Sequence, residues 1–213
     1  IQLSVITQNI DGSCDEYGCQ SVPFEESSRE APVSAYGVTK LAVTQLLQTL
    51  ARAKGFPAVI LRPSVVYGPG QNVDMFLPAL IQTLLSGERF KMSQGEQTRD
   101  FLYIDDCLDG MLKVFNSNSR EVFNVGSEEQ VSINQMIDII QEISEHKISK
   151  NYQLDKPLGV RGRSSDNAFI KKTIGWEPKN SLKVGLVKTY AWIQDQIKSG
   201  TNIDKFTRSN IEK

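Results

Sequence analysis

Cysteine, histidine and net charge are all scarce in this chain of 213 residues, and each scarcity removes a class of function. The three cysteines, Cys14, Cys19 and Cys107, form no paired short repeats of metal-ligand spacing, and an odd number does not make a disulfide framework. A reducing compartment, the cytoplasm, is the expectation. The one histidine, His146, is expected at the surface near a helix C-terminus. Twenty-four basic residues stand against 25 acidic ones, so no basic excess points to nucleic acid. No apolar run is long enough to span a bilayer, and residues 1–9 lack the basic start and sustained apolar stretch of a signal peptide. Internal repeats and low-complexity segments are missing too.

What remains is a mixed chain long enough to bury a sizeable core. Residues 3–7 form a short β-branched apolar run, expected as a strand before a Gly/Asp/Ser loop. From 37 to 54 the apolar residues recur at helical spacing, with Gly55 as the stop. Residues 58–66 are mostly apolar and predict one buried strand. Helices are predicted over 76–85, ending near Gly87, and over 106–115, with Asp105 or Asp106 as N-cap. A strand over 121–125 precedes a helix capped by Ser132 that carries Ile133, Met136, Ile137, Ile140 and Ile143. A short strand over 151–154 and helices over 165–174 and 181–197 follow. Residues 200–213 are polar and read as a flexible tail.

The most informative local pattern is Tyr36-Gly37-Val38-Thr39-Lys40 at the start of the first long helix. Residues four apart share a helix face, and a nearby ammonium favours the phenolate over the phenol. Tyr36 is thus a candidate general acid/base. Downstream stand Leu61-Arg62-Pro63-Ser64-Val65-Val66-Tyr67-Gly68-Pro69-Gly70, Thr98-Arg99-Asp100-Phe101-Leu102-Tyr103-Ile104-Asp105-Asp106, and Phe123-Asn124-Val125-Gly126-Ser127. In this order the motifs resemble the later landmarks of the extended short-chain dehydrogenase/reductase family, the NAD-dependent nucleotide-sugar epimerases and dehydratases. The resemblance runs from about Ser13 to Ile197.

The resemblance implies an α/β fold: part of a Rossmann-type doubly wound parallel sheet with a smaller α/β substrate-binding lobe. Residues 1–68 would belong to the NAD(P)-binding domain and residues 69–199 mainly to the lobe, with segments returning to the sheet. Folds of this type open with a strand, a Gly-rich turn and a helix that receives the pyrophosphate. No G-x-x-G-x-x-G run occurs here, so the chain reads as beginning near the fifth strand. By the same resemblance, Ser13 hydrogen-bonds the sugar hydroxyl, Tyr36 takes its proton, and Lys40 holds the cofactor ribose. Pro63 lines the nicotinamide pocket of NAD or NADP. Arg99 and Arg161 grip the diphosphate of a nucleotide sugar, converging on one cavity, with Arg163 as a rival to Arg161. The Tyr36 helix is expected to pair in a homodimer.

Some residues depart from the family pattern. Val65 stands where many members have an Asn that touches the sugar. Asp15 and Glu16 follow Ser13 where dehydratases and decarboxylases carry acidic groups for later steps. Residues 159–167 with Ile174-Gly175-Trp176 are similar to GDP-mannose 3,5-epimerases, yet those have a Cys two residues before the tyrosine of the Tyr-Gly pair. Here Cys14 lies three before Tyr17, and no Lys occurs from Gly70 to Met75 to act as a second acid/base. An enzyme and a catalytically incomplete binding protein of the same fold both remain open at this point.

Overall fold

The computed structural model describes residues 14–153 and 161–199. The expected strand over 3–7, Ser13 and the tail from 200 lie outside them. Three small sheets and seven helices make up the described architecture. Strand β1 (Ile60–Pro63) pairs in parallel with β5 (Val122–Val125). Strand β2 (Val65–Tyr67) pairs in parallel with β4 (Thr98–Tyr103), and β4 pairs antiparallel with β6 (Gln130–Ser132). Strand β3 (Arg89–Met92) runs parallel to β7 (Ser149–Tyr152). The fold is α/β, as the sequence pattern implies.

Helices cover both faces of the β1–β5 pair, which explains why its strands read as apolar runs. Side chains alternate between the faces of a strand. On one face Ile60 and Val122 meet Val43 and Leu47 of α2 (Ala35–Lys54). On the other, Leu61, Phe123 and Val125 meet Cys107 and Val114 of α4 (Ile104–Asn116), Ile170 of α6 (Ala168–Ile174) and Trp176. A larger core lies under β2 and β4, where α3 (Phe76–Ser86), α5 (Ile133–Ser144) and α7 (Leu182–Lys198) converge.

Local chemistry sets the helix ends. Ser34 accepts the Gly37 N–H and starts α2, and Gly55 ends it in the left-handed conformation. Ser132 forms a reciprocal capping box with Gln135 at the head of α5. Ser181 caps α7.

Several expectations need correction. The single strand over 58–66 is two, because Ser64 carries the chain from β5 as neighbour to β4 as neighbour. Helix α4 starts at Ile104, so neither Asp105 nor Asp106 is its N-cap. Asp106 faces the approach to α7 instead, accepting the N–H groups of Lys179 and Asn180. The helix over 165–174 begins only at Ala168, since Ser165 bridges to Phe24 in extended conformation. Strands β3, β4 and β6 and the short α1 (Cys14–Tyr17) were not expected at all.

Tyr67 ties the large core together: its hydroxyl donates to the Leu182 carbonyl at 3.1 Å. Helix α7 reaches it because Gly185 has no side chain. A Cβ there would lie 2.1 Å from the Tyr67 hydroxyl oxygen. Gly185→Ala is therefore expected to destabilise the protein by about 1–3 kcal/mol, the range for overpacking a filled core. Urea unfolding checks this, with the exposed Val184→Ala expected to stay within about 0.5 kcal/mol of the parent.

Candidate active site

The site is assembled around α1, a four-residue helix that the chain cannot hold by propensity alone. Its three side chains from Asp15 to Tyr17 are all buried. The Glu16 carboxylate meets the Arg62 guanidinium at 2.6 Å, where the two side chains are 0% and 1% exposed. Arg62 also donates to the Tyr17 hydroxyl at 2.8 Å and pairs with Glu30. Tyr17 passes its own proton bond on to Asn124 Oδ1 at 2.9 Å, and Asn124 Nδ2 donates to the Phe24 carbonyl. Arg62 and Asn124 are direct cross-strand partners on β1 and β5.

Burial shapes the electrostatics of this network. Burial pushes the Tyr17 phenol up to about 12, despite the pull of Arg62 in the other direction. Burial also works against the charge of Arg62, but Tyr17, Glu16 and Glu30 outweigh it and hold the guanidinium above its ordinary range. Glu26, which accepts the Asn124 backbone N–H at 2.7 Å, is raised by burial. Tyr17 thus stays a neutral hydrogen-bonding phenol at physiological pH, and Arg62 stays charged.

Helix α2 begins hard against α1. A Cβ at Gly37 would lie 2.6 Å from the Asp15 carbonyl oxygen, so only glycine allows this approach. Gly37 follows Tyr36, and the close contact brings the first turn of α2 beside the residues that follow Ser13. Within that turn the Lys40 ammonium lies over the Tyr36 ring, 5.1 Å from its centroid, within cation–π distance. Both side chains are half-buried.

Pro63, next to Arg62 in β1, lines a cavity of about 410 Å³. Its walls are mostly apolar: Leu61, Val66 and Val125, the turn from Gly68 to Gln71, and Cys107, Leu108 and Met111 of α4. Burial raises the Cys107 thiol to about 11, so it stays protonated there. Neither Arg99 nor Arg161 lines this cavity. The two arginines are neighbours through backbone instead, since the Thr98 N–H donates to the Arg161 carbonyl at 2.8 Å. Arg161 is exposed and Arg99 half-buried. Arg163 is ion-paired with Asp15.

The structure therefore joins Tyr36 to Lys40, puts Arg99 and Arg161 on segments linked by the Thr98–Arg161 backbone hydrogen bond, and puts Pro63 at a cavity. Ser13 lies outside the described residues. Asp15 and Glu16, read from sequence as possible extra acids, are each engaged with an arginine. The network of Glu16, Tyr17, Arg62 and Asn124 escaped sequence reasoning. Its signal was a charge and an amide inside otherwise apolar strands, which demand buried partners.

Comparison with known proteins follows the same lines. The model of the NAD dependent epimerase/dehydratase family matches residues 11–126. The GDP-mannose 3,5-epimerase of Arabidopsis thaliana is 36% identical over 190 residues, 84% of this chain and 50% of that protein. The UDP-glucuronate 4-epimerase of Thermodesulfobacterium geofontis is 31% identical over 85% of this chain and 57% of its own length. The chain spans about half the length of the curated relatives it matches. Among solved structures, the UDP-glucuronic acid 4-epimerase of Bacillus cereus, in complex with UDP-glucuronic acid and NAD, superposes with a TM-score of 0.82 at 32% identity. That match covers 91% of this chain and 61% of the other.

The buried pair yields a direct test. Arg62→Met leaves Glu16 without its cation in a dry site, and is expected to cost about 3–5 kcal/mol of stability. Adding Glu16→Met should recover part of that loss, as read by urea unfolding of both variants.

Proposed function

The chain belongs to the NAD-dependent epimerase/dehydratase family, and from that premise we propose that it forms part of an enzyme acting on a nucleotide-diphosphate sugar. The observation that carries this reading is the Lys40 ammonium over the Tyr36 ring, in a helical turn held against α1 by Gly37. In this reading Tyr36 is the acid/base that takes the proton of a sugar hydroxyl oriented by Ser13. Lys40 stabilises the phenolate and holds the cofactor ribose. Nicotinamide, when bound, supplies a hydride acceptor. Similar solved enzymes are complexes with NAD, and NADP is an alternative for this protein.

The described residues fit the nicotinamide end of such a cofactor. Pro63 and its apolar cavity, bounded by α4 and the turn after β2, suit a flat ring. No Gly-rich pyrophosphate turn occurs in these 213 residues. We read residues 1–68 as cofactor-domain sequence and residues 69–199 as mainly substrate lobe. The parallel pairing of β1 with β5 fits the return of later segments to the first sheet. Arg99 and Arg161, on segments joined by backbone at Thr98, carry the forked guanidinium groups that a diphosphate clamp needs.

Epimerisation is favoured over dehydration. Elimination needs further acid/base groups at the sugar, and both carboxylates after Ser13 are engaged with arginines. The exposed Val38 and Leu46 on α2 support pairing of this helix in a homodimer. Among the described residues no helix is long and apolar enough to cross a membrane, and Cys19 and Cys107 are free thiols, which supports a reducing cytoplasm.

Tyr36→Phe in the natural protein is expected to lower turnover of a nucleotide sugar roughly 10²–10⁴-fold while leaving cofactor binding intact. Steady-state kinetics together with NADH fluorescence titration checks both halves. Near-parental turnover would remove Tyr36 from the mechanism.

A further inference from the structure

Thr44 is 2% exposed in the middle of α2, and its hydroxyl behaves unlike those of the other two threonines in that helix. Thr39 and Thr49 donate to carbonyls of their own helix, at Tyr36 and Gln45, which is the usual way for a helical hydroxyl to be satisfied. Thr44 instead reaches across to α1 and donates to Glu16 Oε1 at 3.2 Å. The other oxygen of that carboxylate, Oε2, meets the Arg62 guanidinium of β1 at 2.6 Å. One buried carboxylate thus joins α2 to the strand that carries Pro63.

Gly37, Lys40, Thr44 and Leu47 are spaced three, four and three apart, so they share one face of α2. Gly37 lies against the Asp15 carbonyl, Thr44 bonds to Glu16, and Leu47 packs in the apolar cluster of Ala58 and Ile60. Lys40 is the fourth member of the stripe, and Tyr36 stands one turn before it. Close approach at Gly37 and apolar packing at Leu47 bring the helix near, but apolar packing has no direction. A hydrogen bond weakens steeply as its angle closes, so Thr44 selects one rotation of the helix about its axis. Glu16 serves as the fixed reference, because Arg62 holds it directly and the bonds of the adjacent Tyr17 to Arg62 and Asn124 hold its backbone turn.

Resting on the reading of Tyr36 as the acid/base, we propose that Thr44 and Glu16 are positioning residues whose mutual hydrogen bond sets the rotation of α2, and with it the placement of the Tyr36–Lys40 turn relative to Pro63. Neither side chain touches the reacting atoms. A helix turns as a unit, so the setting fixed at Thr44 is the setting of Lys40 one turn away and Tyr36 two turns away. Proton transfer from a sugar hydroxyl is sensitive to such placement, since a displacement of about 1 Å can cost on the order of 10²-fold in rate.

Steady-state kinetics of the natural protein tests this, with GDP-mannose, UDP-glucuronate and dTDP-glucose as the substrates offered. Thr44→Val keeps the shape and removes the hydroxyl, and is expected to lower kcat roughly 10–10²-fold with little change in KM. Thr44→Ser, which keeps a hydroxyl, should recover most of that loss. Thr44→Ala replaces Thr44→Val if circular dichroism shows the latter unfolded. The decisive readout is a double-mutant cycle: in a Tyr36→Phe background, Thr44→Val should change the remaining rate by no more than about twofold, because the group it positions is gone. A merely destabilising substitution would lower the rate by the same factor in both backgrounds. Parental kcat in Thr44→Val, or an equal loss in the two backgrounds, overturns the inference while leaving Tyr36 as the acid/base. Parental turnover in Tyr36→Phe, or no turnover of any of the three sugars by the parent, removes the acid/base reading and the inference with it.

Discussion

A guanidinium with 1% of its side chain exposed has to be neutralised where it stands, and that requirement organises this molecule around Arg62. Removing such a charge from water is costly unless its partners are close and well directed. Arg62 finds two carboxylates and a phenol, and each comes from a segment that precedes it in the chain: Glu16 and Tyr17 in α1, and Glu30 in the loop before α2. Asn124 completes the set from β5. The irregular stretch between α1 and α2 is thereby fixed against the β1–β5 pair.

That anchoring has consequences for chemistry, because the same elements carry the candidate catalytic groups. Pro63 follows Arg62, Ser13 precedes α1 in sequence, and Tyr36 sits in the helical turn that α1 abuts through Gly37. Thr44 of α2 adds a further link, donating to Glu16 at 3.2 Å. A positioned acid/base is useful only where its geometry is held by surrounding packing and hydrogen bonds. Here the support is a buried polar network rather than an apolar wall. Its members hold one another through directed hydrogen bonds and ion pairs, which fixes their relative placement.

Much of this was legible in the sequence, for reasons that differ by element. Helices α2, α3, α5 and α7 announced themselves through periodicity and through ends whose chemistry is local: Gly55, Gly87, Ser132 and Ser181. The Tyr36–Lys40 pair was legible because helical spacing alone sets it. Strands β3 and β6 were not, since Arg89 to Met92 and Gln130 to Ser132 are largely polar and owe their form to partners far away in sequence. The split at Ser64 was hidden for the same reason. Its cause is the buried Asp100, which accepts from Ser64, Ser127 and Ser165. Asp15 and Glu16 invited a catalytic reading because their arginine partners lie 46 to 148 positions onward.

Hydride transfer to and from a nicotinamide, with Tyr36 as proton acceptor, is the account's central claim. The most direct measurement uses a nucleotide sugar labelled with deuterium at the carbon bearing the hydroxyl to be oxidised, turned over by the natural protein in ordinary water. Hydride transfer to a bound cofactor and back keeps the label away from solvent, so the epimerised product is predicted to retain it by mass spectrometry and NMR. Loss of the label to water during turnover would show deprotonation at that carbon instead, and would contradict the account.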